Sequence, residues 1–127
     1  MRYEEFVERV RQRAGLDSFE EAERATRATI GRLGEYLNDK KGLEVASQLP
    51  QELSEHLRWQ SPKRGGIQTP TDFLERVGQS EGVSLEEAEA HTKAVMGVLW
   101  EAVGQNEMEN VRRQFPGEFA PLFINAE

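Results

Sequence analysis

Cysteine is absent from the 127-residue sequence, which excludes disulfides, thiolate metal sites and cysteine nucleophiles. Histidine occurs only as His56 and His91. A helical carboxylate–histidine metal site wants Glu three residues ahead of the ring, and those positions hold Leu53 and Ala88. Glu87 lies four residues before His91, a spacing too common to nominate a metal, so no metal and no other cofactor is expected. Long apolar runs are missing too: the longest, AVMGVLW (94–100), is far short of a membrane span. The opening residues MRYEEFVERV alternate charge with apolar side chains and lack a signal peptide's hydrophobic block, so cytoplasm is the expected compartment. No segment alternates convincingly with period two, so no sheet is predicted; with neither a Gly-x-Ser-x-Gly elbow nor a thiol read in it, no nucleophile motif is expected. Neither the phosphate-binding loop nor the dinucleotide fingerprint occurs, and Gly65-Gly66 reads as a flexible pair in a linker.

What is there is charge and helical periodicity. Hydrophobic residues make up 37% and charged residues 31%, enough apolar content for one core of ordinary size with a well-solvated surface. The net charge of −7 is uneven. Residues 1–64 hold twelve bases and twelve acids, whereas 65–127 hold four bases and eleven acids. An acidic chain repels phosphate backbones and acidic membrane surfaces, which makes nucleic-acid and membrane partners poor candidates.

The chain is written twice. FVERVRQRAG (6–15) aligns with FLERVGQSEG (73–82). The first copy gains one residue near Asp17, after which SFEEAE (18–23) falls on SLEEAE (84–89) and the copies run without a gap to Leu57 and Phe123. Two copies are too few for a solenoid, and half-domains of this length bury too little surface alone. The predicted arrangement is one all-α domain, 1–127. Two repeats of about four helices each, 3–57 and 70–123, are joined by a linker at 58–70 and share one core across a pseudo-twofold axis.

Each copy reads as helices. Tyr3, Phe6, Val7 and Val10 recur at helical spacing, as do Phe73, Leu74 and Val77. Thr69-Pro70 supplies a cap and a first-turn proline, while Gly15 and Gly82 stop these helices. Ser18 with Glu21 and Ser84 with Glu87 spell capping boxes ahead of long helices ending near Asn38 and Gly104. Those helices carry the stripes Ala22, Thr26, Thr29, Leu33 and Ala88, Thr92, Val95, Leu99. Shorter helices follow, near 41–48 and 106–114. The glycines at mid-helix, Gly31 and Gly97, predict a close crossing of the two long helices.

Both copies then turn a corner, SQLPQELSEHL (47–57) and RQFPGEFAPLF (113–123). Proline suits the first turn of a helix, and Glu52 and Glu118 at the third position are placed to reach back to the cap amide. Leu49, Leu53 and Leu57 lie four apart, as do Phe115, Phe119 and Phe123, so each set lines one face. Pro121, inside the second of these helices, should shorten or kink it. QLPQEL (48–53), TDFLERV (71–77) and QFPGEF with its closing LF (114–119, 122–123), on a chain of this length, resemble a bacterial family known as domain of unknown function 2267. The resemblance spans essentially the whole chain. It implies an all-helical bacterial protein and brings no catalytic set with it.

No catalytic constellation is read from the residues. The acids at Glu20, Glu21, Glu23 and at Glu86, Glu87, Glu89 occupy first helical turns, where the helix field favours them. The linker segment LRWQSPKRGGIQTP (57–70) holds cations and a tryptophan with no acid. The candidate contact residues are therefore Arg58, Trp59, Lys63 and Arg64, with His91 expected at the core edge with a ring nitrogen in water. The expected function is a non-enzymatic protein-interaction or oligomerisation module whose partner is a second copy or another protein. Two alternatives stand beside it. One is a small ligand, or a reaction, in a cleft between the repeats; the other is weak nucleic-acid binding through the linker.

Overall fold

Local chemistry sets the helix boundaries. The computed structural model describes residues 1–37, 39–58 and 69–123, with the backbone alone at 39–41. Its elements are α1 (Tyr3–Ala14), α2 (Phe19–Tyr36), α3 (Asp39–Ala46), α4 (Gln51–Arg58), α5 (Pro70–Glu81), α6 (Leu85–Val103), α7 (Gln105–Arg113) and a 3₁₀ segment, Gly117–Phe123. The fold is all-α, and no strand occurs among the described residues. No helix among them is long and apolar enough to cross a membrane.

Gly15 and Gly82 end α1 and α5 in the left-handed region, with φ of 66° and 80°. Leu16 N–H then donates to the Arg11 carbonyl at 2.9 Å and Val83 N–H to the Gly78 carbonyl at 3.0 Å, which satisfies carbonyls the helices leave open. Thr69 and Ser84 form complete capping boxes with Asp72 and Glu87. At Ser18 the hydroxyl accepts from Glu21 N–H at 3.1 Å, but the Glu21 carboxylate bonds the Ser18 hydroxyl.

Helix α1 packs on α2 and α6, α5 packs on α6 and α2, and the two long helices touch each other. Helix α4 lies on α2, and the 3₁₀ segment lies on α6. Both predicted stripes are buried: Ala22, Thr26, Thr29, Leu33, Ala88, Thr92, Val95 and Leu99 are each 0% exposed. Apolar side chains from both halves join in a single cluster. Each contributes on the order of 1.5–3 kcal/mol by leaving water.

The corners bury their apolar edges as expected, but two details differ. Their cap amides are taken by the preceding helices: Leu49 N–H donates to the Ala46 carbonyl at 3.1 Å and Phe115 N–H to the Arg112 carbonyl at 3.0 Å. Glu52 and Glu118 are therefore not needed as cap acceptors, and both are exposed. The second corner also leads into 3₁₀ rather than α-helix. Pro121 has no N–H to give the Gly117 carbonyl, and its ring crowds that carbonyl. Accordingly the Pro50 carbonyl receives both Leu53 and Ser54 amides, whereas the Pro116 carbonyl receives Phe119 at 3.0 Å. The larger phenylalanines are accommodated by Tyr36, which stacks on Phe115 at 4.0 Å and meets Phe119 at 5.6 Å. Phe73 closes the cluster edge-on to Phe115 and Phe119.

Candidate functional site

The outer side of α2 carries Arg24, Ala28 and Arg32 in one row four residues apart, with Arg27 beside them. The small Ala28 between long neighbours leaves a hollow. Helix α4 brings His56 to one wall and α5 brings Ser80 to the other. The resulting groove has a volume of about 250 Å³ and is lined by Arg24, Arg27, Ala28, Arg32, His56 and Ser80, with no carboxylate among them.

Two of these guanidinium groups are held in place. The Arg27 guanidinium lies 5.6 Å from the Tyr3 ring centre, its Nε donates to the Tyr3 hydroxyl at 3.2 Å, and Glu23 stands 3.9 Å away. Burial, with Glu23 accepting its proton at 2.5 Å, pushes the Tyr3 hydroxyl up to about 12. Arg32 Nη2 pairs with Glu35 at 2.9 Å, while its Nε is buried with no hydrogen-bond partner. The His56 Nε2–H donates to the Arg27 carbonyl at 2.8 Å. Burial holds the His56 pKa below the ordinary histidine value, and the Arg27 and Arg32 charges add to that effect against the opposing pull of the Arg27 carbonyl. The groove thus offers guanidinium N–H donors and a hydroxyl in a lining without a carboxylate, while Glu23 and Glu35 offset part of the Arg27 and Arg32 charge.

His91 lies elsewhere, on α6, and is largely buried. It is 7% exposed, and its Nδ1 stands 2.5 Å from Oε2 of Glu81, itself 9% exposed. Burial pushes the Glu81 carboxyl above its ordinary value, opposed by His91 and Arg24 and reinforced by Glu87. Oε1 of Glu81 is buried without a partner. Glu87 is occupied at its cap: the Ser84 amide and hydroxyl donate to it and hold its carboxyl low. Among the described residues no cluster of three ligand-type side chains could hold a metal.

The letters Gly-x-Ser-x-Gly do occur, as GQSEG (78–82), contrary to the expectation of no nucleophile motif. They occupy the last turn and cap of α5, not a strand-to-helix elbow. Ser80 lines the groove, whereas Glu81 and His91 do not, and no hydrogen bond joins Ser80 to His91 among the described residues. The spelling therefore has none of the mutual geometry that a nucleophile and its base require.

Of the residues singled out from sequence, Arg58 is the exposed last residue of α4, beside a shallow hollow lined also by Leu43, Leu49 and Ser54. Trp59, Lys63 and Arg64 lie outside the described residues. Arg24, Arg27, Arg32, His56, Ser80 and Glu81 were not foreseen. The i, i+4 row Arg24–Arg32 was a legible signal, but Glu20, Glu21, Glu23 and Glu35 on the same helix mask it in any charge count.

Gly97 also has a different neighbour from the one expected. A side chain there would meet the guanidinium of Arg13 on α1. Arg13 Nη2 donates to Glu101 at 2.6 Å, and Arg9 also pairs with Glu101. The long helices do touch, but what fills the space over Gly97 is a side chain from a third helix.

No curated protein matches the chain. Residues 3–122 match the family described as "Uncharacterized conserved protein (DUF2267)", and the chain belongs to that family.

Proposed function

We propose that the protein is a non-enzymatic interaction module of the bacterial cytoplasm, and that its contact face is the groove between α2, α4 and α5. In this reading the halves 3–57 and 70–123, joined at 58–70, are a pseudo-twofold pair within one domain, and the groove lies where they meet. One observation carries it: in a chain of net charge −7, three arginines and a histidine line a single groove that contains no acid. Glu23 and Glu35 pair with Arg27 and Arg32 but do not line the groove, and a lining that carries cations alone favours an anionic group on the partner. The Glu81–His91 pair stands apart from the groove, which argues against turnover there.

The test is amide chemical-shift mapping of the labelled chain with a short peptide bearing two glutamates, at low salt. Shifts gathered on α2, α4 and α5 are expected; shifts confined to α6 and α7, or none, would refute the reading. A second copy of the chain is one partner of suitable charge, since 65–127 holds eleven acids against four bases. Light scattering decides that part: concentration-dependent mass that salt abolishes supports self-association, and a monomer throughout removes it.

A further inference from the structure

We infer that the α2–α4–α5 groove is a binding site for the phosphate of a small phosphate monoester, held by Arg24, Arg27, Arg32 and Ser80. This rests on the groove being the contact face and names the chemistry it takes.

Four observations lead there. The first is convergence. Arg24 and Arg32 flank Ala28 by four residues each way, so their Cα atoms stand about 12 Å apart along the helix, and long side chains from both ends reach a common centre. The second is an unmet donor: Arg32 keeps Nε buried without an acceptor even though its Nη2 holds Glu35. Buried N–H groups in folded proteins are almost always paired, and this one meets a ligand oxygen in the groove once the Arg32 side chain turns to expose it. The third is size. At about 250 Å³ the hollow falls below the usual range for drug-sized ligands and suits a compact group. The fourth is charge. The lining brings three permanent cations and no carboxylate, although Arg27 has Glu23 beside it, Arg32 has Glu35, and the Arg24 charge acts on Glu81.

These features favour phosphate over carboxylate. One guanidinium can engage both oxygens of a carboxylate and satisfy it. Three guanidiniums and a hydroxyl match a tetrahedral dianion with three free oxygens better. A nucleic acid fits worse, because its neighbouring phosphates would meet the field of a chain at −7.

The counterpart position in the other half shows why the groove is open. By the repeat alignment Ser80 corresponds to Arg13, whose guanidinium lies over Gly97 and bonds Glu101. A short side chain at 80 leaves that kind of space empty on α2.

Calorimetric titration of the intact chain with glycerol phosphate, acetate and a phosphoserine peptide, at low salt and neutral pH, tests the assignment. Glycerol phosphate should bind at least about tenfold more tightly than acetate. Arg24→Gln with Arg32→Gln should weaken it about tenfold or more, with circular dichroism confirming the helical fold. Ser80→Arg is the decisive variant, since it adds positive charge yet fills the hollow. Weaker binding supports a shaped site, and stronger binding would mean charge alone and overturn it. Equal binding of acetate, or binding of the phosphoserine peptide without glycerol phosphate, would also overturn it. If glycerol phosphate fails while the diglutamate peptide still maps to α2, α4 and α5, the inference falls and the interaction reading stands; if both fail, both fall.

Discussion

The outer faces of α2 and α6 stand at matching places in the duplicated sequence and have opposite character. On α2 the row reads Arg24, Ala28, Arg32, with Arg27 beside it; on α6 the aligned residues are Ala90, Ala94, Val98 and Lys93. His56 beside the first corresponds to Leu122, which is buried on the second. Ser80 leaves the first face open, and Arg13 closes the second. At these aligned positions five residue differences accompany a cationic groove on α2 and a packed, charge-neutralised surface on α6. Helical periodicity is untouched by any of them, so architecture and binding chemistry vary independently here.

The corners offer the sharpest way to break this comparison. Phe119→Ala should destabilise by about 3–5 kcal/mol, because Phe119 meets Tyr36, Phe73 and Phe115; Leu53→Ala should cost about 2–5 kcal/mol and less than its counterpart. Urea unfolding measures both, and a reversed order would mean the aromatic cluster adds nothing to the second half.

Thr29 comes next. Its hydroxyl is buried without a partner, and the repeat places Val95 at the same position. Thr29→Val should raise stability by about 1 kcal/mol. A lower melting temperature would show that the hydroxyl is paired in solution.

Arg13→Ser makes the α6 face resemble the α2 face. The ion pair it removes is partly exposed, so the loss should not exceed about 1 kcal/mol. Its clearer mark is on pH dependence. Burial raises the Glu101 carboxyl, but Arg13 and Arg9 together outweigh this and hold it low. The stability it contributes is present above the ordinary Glu value and lost as pH falls through the lowered one. The variant should show a shallower loss on that acid limb.

A further pH effect concerns Tyr3, which aligns with Pro70 and has no equivalent in the other half. A folded-state value raised from 10.0 to about 12 means stability fully present below the first and lost as pH rises through the second. Tyr3→Phe should flatten that alkaline limb in a pH-dependent denaturation series; an unchanged limb would place the ionisation elsewhere.

Much of the fold was legible because its signals are local. Gly15 and Gly82 at helix ends, Thr69-Pro70, Ser84 with Glu87 and the two buried stripes act within a turn or two of themselves. The misreadings involve choices between competing partners. Glu52 and Glu118 could have capped, but the Leu49 and Phe115 amides donate to carbonyls of the preceding turn instead. Gly97 signalled a close approach without saying to what. His91 looked like an edge residue because Glu81, ten positions earlier, is an ordinary surface-type acid until α5 and α6 pack and bury both.

By itself the sequence determined where helices start and stop and which faces turn inward, since capping, proline geometry and apolar spacing are set by neighbours along the chain. The packing of α1 and α5 each against both long helices decided the rest. It brought Ser80 opposite Arg24, Arg32 and His56, laid Arg13 across Gly97, and buried Glu81 with His91. Those juxtapositions join residues from about ten to ninety positions apart, and no local rule of backbone or spacing acts across such distances.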